Sequence, residues 1–341
     1  MPRNIYHFDI AIKRQLKGLT KLDNYHGLLA VLEDYCVIAG AIAILWLSPF
    51  CYPISILVIG ARQRALATLL HESAHKTLCR NRQLNYLLGT WFSGYLIFQL
   101  YKPYIQSHVL HHHKYLGQPG KDPDLQFHQK EGLYRTMSPG QFKWKFLIKP
   151  WLCLSSYRHL KYLLNTRFRP SNISELPDYK SELMQFVALW AAIFITILVL
   201  DIWLEFLLLW IVPYLTTFQV INWYCELSEH FPIPDPGVLD IHLTRNRFSP
   251  PIEKFFFGIH EENYHLEHHL HPGVPYWNLA EANSIRRQDK SYDTLNATMG
   301  GLFLRGKNRS PSVISTILNR SHDTVSPATA TSVSTVQNVP N

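Results

Sequence analysis

Cysteine is scarce and unpaired in this chain. Its five cysteines, Cys36, Cys51, Cys79, Cys153 and Cys225, stand far apart, and no Cys-x-x-Cys pair occurs. That pattern excludes a disulfide framework and a thiolate zinc site, and the odd number suits a reducing compartment. Charge is missing from one long stretch, residues 35–61. A signal-peptide pattern is absent as well. Residues 1–28 are polar and basic, with Arg3, Lys13, Arg14, Lys17 and Lys21, and no apolar core or small-residue cleavage site follows. No nucleic-acid-binding motif accompanies the net charge of +8. The basic surface is therefore expected to face lipid headgroups or an acidic electron carrier, not nucleic acid. Mean hydropathy is only -0.07, so any membrane spans share the chain with a sizeable polar part.

Apolar runs do occur, and they come in pairs. A bilayer span needs about 20 residues. The stretch around residues 35–61 is long enough for two if the first starts near Leu28 and the second runs to Leu70. Spans are expected at about 28–47 and 50–70, with Ser48–Pro53 as the turn. Glu33, Asp34, Arg62 and Arg64 then lie at one interface, where arginine stems can snorkel. A second hairpin is expected from spans at about 183–200 and 202–221, turning at Asp201 and kinked at Pro213. Residues 84–101 are apolar and aromatic but hold Gly89 and Gly94, which predicts an interfacial or re-entrant segment. Neither outer turn carries Lys or Arg. The positive-inside rule then places both termini and both long polar regions in the cytoplasm. The expected fold is all-α and integral to the membrane, with four transmembrane helices in two hairpins. Its domains are a basic N-terminal segment over 1–27 and a membrane domain over 28–305, whose helical cap comprises 71–182 and 222–305. Residues 306–341, rich in Ser, Thr, Val and Asn, are expected to be a disordered tail.

Histidine is the anomaly: there are 18, most of them in tight groups. His71-Glu-Ser-Ala-His75 puts two imidazoles on one helical face. In His108-Val-Leu-His111-His112-His113, spacings of three and four put His108, His111 and His112 together, with His113 off that register. His265-Leu-Glu-His268-His269 repeats the spacing. A catalytic zinc takes about three protein ligands, so eight histidines in three boxes fit two metals better than one. Imidazole suits iron, zinc or copper. His230, in Glu226-Leu-Ser-Glu-His230, is a further expected ligand at the inner end of the second hairpin. Metal-bound histidines donate their other N–H to a carboxylate or carbonyl. Glu72, Asp122, Asp124, Glu226, Glu262 and Glu267 are the candidates for that supporting role. His260 and His271 lie near the third box but are not expected to bind metal; His128, His159 and His242 read as structural, and His7, His26 and His322 as surface.

The boxes HESAH, HVLHH and HLEHH, in this order, resemble those of the membrane fatty-acid desaturase family. The flanks agree: HHKYLGQPGKDPDL after the second box and NYHLEHHLHPGVPYWNL across the third. The resemblance covers roughly residues 40–282. It implies four transmembrane helices under a cytoplasmic cap that holds two irons. It also implies that reduced iron, O2 and two electrons remove hydrogens from an unactivated C–H of a lipid. Desaturation of an acyl chain is the expected reaction. Hydroxylation or ketone formation on a lipid, carotenoid or specialised metabolite is the alternative within the family. The third box opens with His265 and not Gln, unlike front-end desaturases. His271-Pro-Gly273 lacks the second glycine of a fused haem-carrier domain, so electrons are expected from a separate ferredoxin or small cytochrome.

Other classes explain less. A membrane zinc protease would use His71-Glu72-x-x-His75 with Glu72 as general base, leaving both His-x-x-His-His boxes idle. A ferritin-like protein would use Glu72-x-x-His75 and Glu262-x-x-His265, but has no need of long apolar hairpins. A metal transporter places its ligands within its spans, whereas these boxes lie outside them.

Overall fold

The computed structural model describes residues 4–170, 176–232, 237–306 and 309–323. Among the described residues no strand forms, and an isolated bridge joins Asn4 to Leu239. Four helices are long and apolar enough to cross a membrane: Tyr25–Trp46, Pro49–Ala74, Tyr179–Val199 and Trp203–His230. Two of them overrun their apolar stretches. Helical bonding continues there because the ends are clothed by protein, with Ile59–Leu70 and Phe218–Cys225 buried throughout. The opposite ends are bare. Trp46, Phe50 and Val199 are 87%, 92% and 77% exposed, which in water would leave large apolar side chains unshielded.

Local chemistry sets the breaks. Ser48 accepts a hydrogen bond from the Phe50 N–H (3.3 Å) and Pro49 opens the second helix. Asp201 turns the chain between the third and fourth helices in a left-handed conformation (φ 51°). The fourth helix loosens into a π-type turn over Leu207–Ile211, just before Pro213, and breaks again at Thr216. Proline removes one helical donor and crowds the preceding turn. The second and fourth helices approach closely at Gly60, where a Cβ would meet Thr217 Oγ1 at 2.1 Å.

Residues 84–101 do not form a span. After a short helix, Arg82–Thr90, the chain makes a 3-10 turn over Gly94–Ile97 and reverses at Phe98 (φ 58°). This irregular backbone is tucked against the long helices. The indoles of Trp190 and Trp210 donate to the carbonyls of Tyr95 (2.9 Å) and Leu96 (3.0 Å). Buried non-helical backbone is tolerated where other groups of the protein satisfy its hydrogen bonds.

The rest of the chain forms short helices around the buried ends of the second and fourth helices. All five cysteines are free. Part of the expected disordered tail is ordered. Val313–Asp323 is helical, and Val313 and Ile317, four apart, bury one face in the core. Residues 307–308 and 324–341 of that tail, and the side chain of His322, lie outside the described residues.

Candidate metal centre

Four separated stretches deliver the histidines. His71 and His75 end the second long helix, with ring centroids 4.8 Å apart. His230 ends the fourth. His265, His268 and His269 sit on a short helix, His265–Leu270, entered through left-handed residues His260 and Glu261.

The second box departs from its expected register. Ile105–His113 is a π-helix, with roughly 4.4 residues per turn because its bonds run i to i+5. Residues four and five apart then share a face. His108, His112 and His113 turn inward together, and His111 turns away. The His111 ring donates from Nδ1 to the Gln106 carbonyl (2.5 Å). An α-helical template pairs His108 with His111; the wider turn replaces His111 with His113.

Two clusters result. His71, His75, His108, His113 and His268 bring one ring nitrogen each within 4.8 Å of one another, and so do His112, His230 and His269. His265 joins the second cluster, its Nε2 2.9 Å from that of His230 and 3.0 Å from that of His269. In the first, Nε2 of His113 is 3.1 Å from that of His108 and 3.0 Å from that of His268. The clusters adjoin, with the rings of His113 and His269 stacked at 4.2 Å.

These residues fit metal ions. Two nitrogens each about 2.1 Å from one metal, at about 90°, stand about 3.0 Å apart, which is the spacing seen. Nε2 of His71, His75 and His112 is buried with no hydrogen-bond partner, a costly arrangement unless a cation meets the lone pair. Burial, with repulsion from the other histidines, holds His75 down to about 3. It holds His108, His113, His265, His268 and His269 well below the ordinary histidine value. Burial thus favours the neutral ring, the form that can bind a metal. For His112, burial acts downward but Asp122 and Asp124 outweigh it and raise it to about 9. A metal at its Nε2 therefore displaces a proton.

The carboxylates divide into distinct roles. Asp122 Oδ1 and Asp124 Oδ2 each lie 3.0 Å from His112 Nδ1. Asp122 also accepts from the N–H groups of Gly117 and Asp124, so helix capping and ring orientation share one side chain. Asp124 is held in turn by Arg167 (3.3 Å) and the Tyr162 hydroxyl. Glu72 lies 3.4 Å from His71 Nδ1 and accepts from Thr77 Oγ1 (2.8 Å) and the Tyr276 N–H (3.1 Å). Glu262 is paired with Arg64 rather than with a histidine. Glu226 lines a small cavity of about 40 Å3 bordered by His71, His108, His230, His265 and His268. Glu267 faces away from the metal clusters. It accepts from Asn246, Asn283, Tyr292 and Arg286 on the opposite side of its helix. At about 100° of turn per residue, His268 and His269 lie on other sides of the helix from Glu267.

Sequence analysis set His113 off the shared register and did not single out Glu229. Glu229 lies 3.5 Å from His265 Nδ1 and 2.5 Å from Arg247. Three consecutive histidines were the available hint for His113, since such a run supplies a ligand in either helical phase. His260 and His271 stay outside both clusters; His260 is bonded to Asp34 (2.9 Å).

The family model for fatty acid desaturases matches residues 47–298. The chain belongs to the fatty acid desaturase family. Dihydrorhizobitoxine desaturase of Bradyrhizobium elkanii is 41% identical over 317 residues, covering 92% of this chain and 90% of that protein. The chloroplastic omega-6 fatty acid desaturase of Brassica napus is 24% identical over 240 residues, 66% of this chain and 52% of its own length. That of Arabidopsis thaliana is 22% identical over 311 residues, 86% of this chain and 66% of its own. This desaturase-family protein is an oxidoreductase and, with its four apolar helices, a membrane protein.

Proposed function

We propose that this desaturase holds two irons and uses O2 and two electrons to introduce a double bond into an acyl chain. The observation that carries the reading is the pair of adjoining histidine clusters, with Nε2 atoms at the spacing of neighbouring ligands on one metal. His71, His75, His108, His113 and His268 would hold one iron; His112, His230, His265 and His269 the other. Bound iron supplies the reduction of dioxygen that makes abstraction from an unactivated C–H feasible. The chain contributes placement. Asp122 and Asp124 fix the His112 ring, Glu229 faces His265 Nδ1, and Glu72 faces His71 Nδ1. Arg64 and Arg247 neutralise Glu262 and Glu229 beside the cavity.

A second substrate reading has its own support. The cavity beside the clusters is lined largely by polar groups, among them Arg64, Thr68, Glu226 and Glu262. The 41% identical relative is named for dihydrorhizobitoxine and not for an acyl lipid. A small polar metabolite fits that lining better than a bare hydrocarbon does.

The long helices form two hairpins in this reading, with both termini and the metal centre in the cytoplasm, because the turns near residues 48 and 201 carry no Lys or Arg. Residues 28–305 make up the membrane domain with its cap. Electrons come from a separate ferredoxin or small cytochrome that docks on the basic face.

The test is iron quantification on the purified protein, with mass profiling of lipids and small metabolites in a host with and without expression. Two irons per chain and a product lighter by two hydrogens are expected. A product carrying added oxygen and no new double bond makes the protein a hydroxylase or ketolase instead. Bound zinc without iron overturns the reading.

A further inference from the structure

Outside the four long helices, one stretch of this chain exposes a concentration of large apolar side chains. Trp144, Ile148, Trp151, Leu152, Leu154, Tyr157 and Leu164 are all exposed, Tyr157 by 73%. The same stretch carries Lys143, Arg158 and Lys161 at its surface. In a wholly water-facing cap this surface is unfavourable.

Its height can be read from its contacts. A hydrocarbon core of about 30 Å takes about 20 helical residues. Counted from Trp203, the fourth helix leaves that core near Trp223. The Trp223 indole donates to the Phe146 carbonyl (2.9 Å), and the Tyr224 hydroxyl donates to the Leu147 carbonyl. Trp151 packs on Tyr224 with ring centroids 5.6 Å apart. Further along, the helix Ser156–Leu163 lies still deeper. His159 bonds Gln219 (2.7 Å) and Asn222 (2.9 Å), and Leu163 shares a core cluster with Tyr214. The buried face of this stretch thus lies sideways against residues 214–224 of the fourth helix. Its opposite face points away from the helices at the same height.

We propose that residues 144–164 run along the leaflet nearer the metal centre, from its surface at residues 144–152 into its acyl layer beside residues 214–222 of the fourth helix. Trp144, Trp151, Leu152, Leu154, Tyr157 and Leu164 meet the acyl chains, and Lys143 and, by snorkelling, Lys161 reach the phosphates of anionic lipids, while Arg158 is held by Glu131 (2.7 Å). Exposed apolar and aromatic residues with lysine close by are the composition of a segment that sits in a membrane interface. On the fourth helix Leu215, beside the deep end of this stretch, is exposed as well. A soluble protein partner would have to sit inside the headgroup layer to reach the same face. The proposal rests on the four long helices being membrane spans.

The test uses the full chain in nanodiscs of equal parts neutral and anionic phospholipid. A photoreactive benzophenone amino acid replaces, one at a time, Leu154, Tyr157, Leu198 on the third long helix, and Lys290 on the cap. Phospholipid adducts are expected by mass spectrometry at Leu154, Tyr157 and Leu198, and none at Lys290. Adducts at Leu198 without adducts at Leu154 and Tyr157, or protein adducts at those two positions, overturn the proposal and leave the spans standing. Absence of adducts at Leu198 overturns both. Anionic lipid is expected to be enriched among the Leu154 adducts over its half share of the disc, and to fall back to that share in K143Q/K161Q. A half share from the outset overturns the phosphate contacts.

Discussion

At the scale of single residues, the structure turns His113 inward and His111 away. His113 Nε2 stands among the nitrogens of the first cluster, while His111 is bonded to a carbonyl of its own turn. His113→Ala is expected to cost one iron and to lower turnover by more than about 100-fold, beyond the range typical of groups that only support a ligand. His111→Ala should keep both irons. Metal analysis of the two purified variants checks this directly, and loss of iron in His111→Ala alone would reverse the assignment. Asp122→Asn keeps the shape but removes the charge that faces His112 Nδ1. Iron affinity at the second cluster should fall by about 10- to 100-fold, read by competition with a chelator.

His71, His75, His108, His111, His112, His265, His268 and His269 were legible as candidates from spacing, and His230 from its place at the end of an apolar stretch. The carboxylates were legible only as a set. Nothing in the string Leu266-Glu267-His268 says which side of the helix the glutamate faces.

At the scale of elements, the short helix His265–Leu270 is held from behind. Glu267 is buried among Asn246, Asn283, Tyr292 and Arg286, so the helix is anchored on one face and presents histidines on the other. Arg286→Met leaves that carboxylate without its cation. A loss of about 3 kcal/mol is expected, the usual scale for breaking a buried ion pair, seen as a lower thermal midpoint. Arg286→Lys should recover part of it. The π-helical turn is the other element that spacing rules did not anticipate. Period-3.6 templates assume one hydrogen-bond register. The register of Ile105–His113 is widened where Ser107 Oγ donates to the Pro103 carbonyl (2.7 Å) and Arg167 reaches in.

At the scale of the molecule, distant stretches are tied by buried charge. Arg62 lies 3.1 Å from both Glu33 and Asp34, and His260 lies 2.9 Å from Asp34. The first and second long helices are thereby joined to the loop that leads into the third box. Burial acts to lower His260, but Asp34 outweighs it and raises it above its ordinary value. A raised histidine stabilises fully below its unfolded value of about 6.5 and loses that contribution as pH rises through the folded value. The thermal-midpoint gap between wild type and His260→Gln should therefore be widest near pH 6 and shrink toward pH 9. A gap that grows with pH would contradict the ion pair. Removing iron should destabilise the whole protein. The ligands come from four stretches that meet only in the folded state, so binding favours that state by RT ln(1 + [L]/Kd). Chelation should lower the thermal midpoint, and added ferrous iron should restore it.

The sequence by itself determined the helical class, the long apolar stretches and the clustering of histidines in tight groups, because these follow from local composition and short-range periodicity. The tertiary structure decided which nitrogens converge, which carboxylate lies beside which ring, and which large apolar side chains stay exposed. Each of those depends on the path of the backbone between stretches far apart in the chain, and on one turn wound in a register that side-chain spacing does not encode.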